Sequence, residues 1–230
     1  MMQAMEKAEV LIEALPYIQK FSDAIVVIKF GGSAMEDPEL TRKTMRDIVL
    51  LDAIGMKPVV VHGGGKAITA RLRELNIETK FINGLRYTCD RTIAVVDDVL
   101  HNVTNKALVD GIRASGAKGA QISGKKLLRA KRLTTTDKET GKELDIGYVG
   151  QVIAVDTAPI MDCLKYNFIP VIAPLATDFY GQPYNINADM AACDIAKSLK
   201  ARKLIFLSDV PGILRDPKDE STLISSIKTS

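Results

Sequence analysis

Apolar residues along the chain follow two alternating rhythms. Short β-branched runs, AIVVIKF (24–30), KPVVVH (57–62), FIPVIAP (168–174) and KLIFLS (203–208), have the continuous apolar character of strands buried on both faces. Between them lie segments 37–55, 65–76, 89–116 and 188–201, where apolar residues recur at spacings of three and four. Asp, Gly and Asn stand at the ends of these segments, as helix boundaries require. Strand–helix–strand alternation implies right-handed crossovers and a mainly parallel sheet covered by helices on both faces. The expected fold is therefore α/β, a three-layer α/β/α sandwich.

Three stretches break that rhythm. Segment 125–156 reads as two extended runs joined by the polar turn DKETGKE. Its lysines and arginines are mixed with acids and carry no series of stacking aromatics, so it reads as a solvated β-hairpin rather than a nucleic-acid patch. Residues 1–22 carry a helical apolar stripe through Val10, Leu11, Leu15 and Ile18, with Pro16 placed to kink it. Such a stripe packs on its own domain or reaches another subunit. After the last strand the chain runs SDVPGILRDPKDESTLISSIKTS without a closing strand or helix, which suggests a truncated sequence. The expected division is an N-terminal helical arm (1–22), a first lobe (23–175) and the start of a second lobe (176–230).

Composition narrows the functional classes. Of the 230 residues, 47% are hydrophobic and 26% charged, enough apolar material for a sizeable core and an ordinary charge content. A net charge of +3 is too small to argue for nucleic acid. No apolar run approaches the roughly 20 residues needed to span a bilayer. Cys89, Cys163 and Cys193 stand far apart, and the two histidines, His62 and His101, add no metal-ligand spacing. A cytoplasmic protein without a disulfide framework or a metal site is expected.

The chemistry gathers where strands run into glycine. VVVHGGGK (59–66) is not a Walker A loop, because Val60 stands where the first glycine belongs and Ala67 follows the lysine. Nor is it a dinucleotide fingerprint, since Ile68 occupies the third glycine's place. What remains is a strand, Gly63 to Gly65 and a helix N-terminus, whose free N–H groups and positive end favour an anion. IKFGG places Lys29 one residue before the end of an apolar strand, just ahead of Gly31 and Gly32. A lysine there is costly unless its ammonium emerges at the carboxyl edge, where open α/β sheets bind ligands. In YNINADMAACD, Asn185, Asn187 and Asp189 alternate along a segment entering a helix. NGLRY offers Arg86, whose planar fork suits a carboxylate.

IKFGG, VVHGGG, NGLRYT, GYVGQV, NINAD and LSDVPGIL, in this order and at this spacing, resemble the amino acid kinase family, and within it the acetylglutamate kinases. The resemblance covers almost the whole chain from residue 24. It implies ATP- and Mg2+-dependent phosphorylation of the side-chain carboxylate of N-acetyl-L-glutamate, the second step of arginine biosynthesis. Lys29 would stabilise the transferred phosphoryl group and Asp189 would orient the catalytic lysines. Gly63 to Gly65, Arg86, Asn185 and Asn187 would hold the acceptor, and Gly31 and Gly32 the phosphate in flight. Asp209, Val210, Pro211, Gly212, Ile213 and Leu214 would begin the nucleotide site. Magnesium would be held chiefly by the ATP phosphates, with no protein metal cage.

The attacking carboxylate is already ionised near neutral pH, so no general base is required and His62 reads as a packing and hydrogen-bonding residue. The family places a second catalytic lysine, and much of the adenine pocket, beyond the last residue of this chain. The expectation is thus a kinase whose chain, as given, turns over little. Residues 2–21 resemble the kinked helix that links dimers into hexamers in arginine-inhibited relatives, which makes a homo-oligomer and arginine inhibition further implications. The competing readings are a kinase of acylated aminoadipate or aspartate, and a non-catalytic acetylglutamate-binding regulatory protein.

Overall fold

The computed structural model describes residues 2–137, 140–208, 210–216 and 218–228. Helix α1 (Met2–Phe21) precedes β1 (Ile25–Phe30), and α2 (Pro38–Ala53) leads to β2 (Lys57–His62). Next come α3 (Gly65–Glu74) and a short hairpin, β3 (Phe81–Ile82) with β4 (Leu85–Arg86). One long helical stretch follows: α4 (Asp90–Asp98), a π-helical segment (Val99–Asn105) and α5 (Lys106–Ala114). The chain continues through β5 (Gly119–Ser123), β6 (Leu128–Thr136), β7 (Glu143–Val155) and α6 (Ala158–Lys165). It ends in β8 (Ile169–Ala173), β9 (Leu175–Thr177), β10 (Pro183–Asn185), α7 (Ala188–Ser198) and β11 (Lys203–Leu207).

Five strands form a parallel sheet in the order β11-β1-β2-β8-β5. Alternation along each strand divides its side chains between two cores. Val26, Ile28, Phe30 and Val60 pack with Met45 and Ile48 of α2 and Leu108, Val109 and Ile112 of α5. Val27, Val59 and Val61 pack on the opposite face with Ile160 and Leu164 of α6 and Ala191, Ala192 and Ile195 of α7. This is the α/β/α sandwich expected from the strand–helix alternation. Lys29 shares the parity of Val27 and faces α7, whereas His62 shares that of Val60 and faces the π-helical segment. The two glycine edges thus send their polar side chains to opposite faces of one sheet.

The stretch read as a solvated hairpin is more than that. β6 and β7 pair antiparallel, but with β9 and β10 they close a small barrel in the order β10-β7-β6-β9. Leu128 and Ala130 of β6 and Ile146 and Val149 of β7 are buried. Lysines and arginines at alternate positions concealed the inward-facing set. Gly150 is required there, since a Cβ would lie 2.8 Å from both Ile186 Cδ1 and Tyr184 Cβ. In α1, Pro16 lies inside an unbroken helix; of the stripe, Val10, Leu11 and Leu15 are exposed, as are Ile12 and Tyr17 beside it, and Ile18 is half-buried. Three of the four stripe residues are thus left uncovered by their own domain. Among the described residues no helix is long and apolar enough to cross a membrane.

Candidate active site

The carboxyl ends of β1 and β2 lie side by side, with Lys29 opposite Val61 and Phe30 opposite His62. From β1 the Lys29 ammonium reaches Asp189 Oδ1 at 3.1 Å, the side chains being 15% and 53% exposed. Asp189 sits in the first turn of α7, where a carboxylate also meets the positive end of the helix. Gly31 leaves room for the lysine: a Cβ there would lie 3.0 Å from Nζ. Gly32 then takes φ 74° and starts a 3₁₀ turn (Gly32–Met35).

After β2 the three glycines have distinct tasks. Gly63 donates its N–H to Phe30 O at 2.8 Å, tying the two glycine edges together. Gly64 packs under the π-helical segment so closely that a Cβ would lie 2.6 Å from Leu100 Cδ2. Gly65 opens α3, whose first-turn amides have no intrahelical acceptor. His62 is fully buried, and burial pushes its pKa down to about 4, so the imidazole is neutral near neutral pH.

Arg86 is delivered by a two-residue turn, Asn83-Gly84, whose φ values of 49° and 78° suit the type I′ geometry of a tight hairpin. The residue is 7% exposed, and burial lowers its pKa. One nitrogen, Nη2, donates to Gly65 O at 2.7 Å and to Thr69 Oγ1 at 2.8 Å. The Phe81 ring lies 4.7 Å from the guanidinium carbon. Nη1 is buried and has no partner. A buried guanidinium with a free N–H is a donor suited to an anion. Thr88 joins two parts of the site, donating to Arg86 O at 2.8 Å and accepting from Asn185 Nδ2 at 3.3 Å. Asn187 uses its side-chain oxygen to cap α7, accepting from the N–H groups of Asp189 and Met190.

These residues line a cleft of about 630 Å3 that includes Lys29, Gly63 to Gly65, Arg86, Asn185, Asn187 and Asp189. Gly32 lines it as well, whereas Gly31 stands behind Lys29. A second cleft, of about 580 Å3, shares Lys29 and Asp189, and its walls include Thr44, Phe206, Ser208, Val210, Gly212 and Ile213. Leu214 is not among its walls and bridges to Leu223, and Asp209 lies outside the described residues. The lysine–carboxylate pair therefore stands between two adjoining hollows. Sequence reasoning missed Thr88, Asn105 and the Lys66–Glu36 ion pair across the cleft mouth. Only Thr88 left a signal, its place directly after the Arg-Tyr that follows the Asn-Gly turn.

The model of the amino acid kinase family matches residues 24–230. The acetylglutamate kinase of Akkermansia muciniphila is 47% identical over 96% of this chain and 75% of its own length. That of a Thermoanaerobacter species is 50% identical over 95% of this chain and 72% of its own length. Among solved structures, N-acetylglutamate synthase from Neisseria gonorrhoeae superposes with a TM-score of 0.76 and 24% identity, over 90% of this chain and 46% of that one. That last likeness is one of fold.

Proposed function

The chain belongs to the amino acid kinase family, and on that premise we propose how the site works as an acetylglutamate kinase. The reaction is ATP-dependent phosphorylation of the side-chain carboxylate of N-acetyl-L-glutamate, a step of arginine biosynthesis. One observation carries the reading: the Lys29–Asp189 pair lies where two clefts meet, as transfer between two bound molecules requires. Acetylglutamate occupies the cleft of Arg86, and ATP the cleft of Val210 to Ile213.

In this reading Arg86 Nη1 takes the acceptor's α-carboxylate, and Asn185 and Asn187 its acetamido end. Asn187 offers only its amide N–H, because its oxygen caps α7. The amides of Gly64 and Gly65 face the acceptor, and Gly32 the phosphoryl group in flight. Lys29, held by Asp189, stabilises charge on that group, where a loose transition state spreads it over the equatorial oxygens. Mg2+, arriving on the ATP phosphates, supplies further charge neutralisation. Among the described residues no three His, Cys, Asp or Glu side chains converge as a metal site. Asp209 to Leu214 begins the nucleotide lobe, and residues 23–175 supply most of the acceptor lobe.

The exposed apolar residues of α1 support a homo-oligomer contact through that helix, and arginine as an inhibitor follows from the family resemblance alone. The three cysteines are unpaired, which suits a cytoplasmic enzyme. ADP release measured with acetylglutamate, acetylaminoadipate and aspartate tests the substrate. Preference for either of the latter two overturns it. Deletion of residues 1–20 is expected to lower the mass seen by light scattering, and an unchanged mass removes α1 from the oligomer.

A further inference from the structure

Behind the acceptor cleft lies a fully buried polar relay that does not itself line it. His62 Nδ1 lies 2.7 Å from Gly63 O, and its Nε2 lies 3.1 Å from Asn105 Nδ2. The same Asn105 amide donates to Val171 O at 2.8 Å. A carbonyl accepts only, so the Asn105 group facing Val171 is its NH₂, and His62 Nε2 must then accept. The proton therefore sits on Nδ1 and is donated to Gly63 O. Both His62 and Asn105 are fully buried.

Peptide planarity carries this bond into the site. The Gly63 carbonyl and the Gly64 N–H belong to one rigid trans unit and point in opposite directions. The Gly63 N–H is also tied, to Phe30 O. Holding the Gly63 oxygen therefore fixes the direction of the Gly64 amide, whose residue lines the cleft. Three glycines in a row would otherwise be free to turn.

The π-helical segment (Val99–Asn105) makes the relay possible. Each residue advances an α-helix by about 100°, so the wider π turn re-aims every later side chain. Here it brings Leu100 against Gly64 and Asn105 onto His62. The arrangement carries a cost, since Asn105 Oδ1 is buried without a partner. An apolar residue at 105 would leave no such orphan, and would leave the tautomer unset.

We infer that His62, locked as its Nδ1–H tautomer by Asn105, is a positioning residue that aims the Gly64 amide at the acceptor. The inference rests on the acceptor-cleft reading above. The test pairs calorimetric titration of acetylglutamate and of ATP with nitrogen-15 NMR of the histidine ring. Asn places an N–H near the Nδ1 position, whereas Gln places one near Nε2. His62→Gln is expected to weaken acetylglutamate roughly tenfold, as loss of one buried hydrogen bond does, with ATP affinity unchanged. His62→Asn should retain affinity close to that of the unsubstituted protein, and Asn105→Leu should mix the two tautomers and weaken acetylglutamate alone. Equal losses in the Asn and Gln variants, or parallel losses of both ligands, would mean mere packing and overturn the inference. If the substitutions prevent folding, the NMR of the unsubstituted protein decides: a proton on Nε2 overturns it. Absence of acetylglutamate binding to the unsubstituted protein overturns the functional reading and this inference together.

Discussion

On the acceptor side of Lys29 the cleft is backed by two chains of polar groups already bonded to one another; on the ATP side the most exposed wall residues are apolar. Arg86, Thr88 and Asn185 form one chain of hydrogen bonds, and Gly63, His62 and Asn105 another. Across the lysine, Phe206, Val210 and Ile213 present largely exposed surface. Donors fixed before the substrate arrives stabilise charge without reorganising, whereas apolar surface supplies area and no direction. Selection in this protein is therefore expected on the acceptor side. Lys29 belongs to both hollows and should matter to both.

The largest effect expected tests that shared position. Lys29→Ala should lower kcat by about 10²–10³-fold, the usual cost of one transition-state donor, with KM for each substrate little changed in steady-state assays. A loss confined to one substrate's KM would assign the lysine to one cleft. Next comes His62. Its folded pKa of about 4 lies below the ordinary 6.5, so between those values the unfolded chain binds a proton that the folded chain does not. Stability should be flat above pH 6.5 and fall by about 3 kcal/mol as pH drops through that window to 4. Urea titrations of the protein and of His62→Asn should differ by this amount. Equal slopes would show that the acceptor side is less tightly built than its bonds suggest.

Arg86→Lys removes the fork while keeping the charge, and should raise the acetylglutamate KM by roughly 10–100-fold, the worth of a charged hydrogen bond. The KM for ATP should not move. The smallest effect is expected across the lysine, where Ile213→Ser should change stability by no more than ~0.5 kcal/mol, as exposed substitutions do. Thermal melts check the stability, and an altered acetylglutamate KM would erase the contrast between the two sides.

Local pattern was enough for much of the frame. Continuous apolar strands, helical spacing and two strand–glycine edges follow from backbone sterics and the burial of apolar side chains, both legible residue by residue. Lys29 announced itself because a charge inside an apolar strand is costly wherever it does not emerge at an edge. The motif order from IKFGG to LSDVPGIL was likewise visible before any coordinates, and the family match spans the same residues.

Tertiary structure decided what depends on distant partners. Lys29 and Asp189 are 160 residues apart, and only the parity of β1 and the start of α7 bring them to 3.1 Å. The barrel formed by β6, β7, β9 and β10 exists because strands far apart in the chain close on one another, which no single run could announce. Whether α1 covered its own stripe was likewise undecidable from the stripe, since burial belongs to a pair of surfaces. Asn187 looked like a ligand group from its spacing, and its backbone turned half of it into a helix cap. Asn105 carried no signal at all: its role comes from a π-helical turn that rotates it onto a histidine 43 residues earlier. The sequence determined which segments would be strand, helix or glycine edge, because those are local energies. The fold alone decided which polar groups met, because that is set by register and packing between segments.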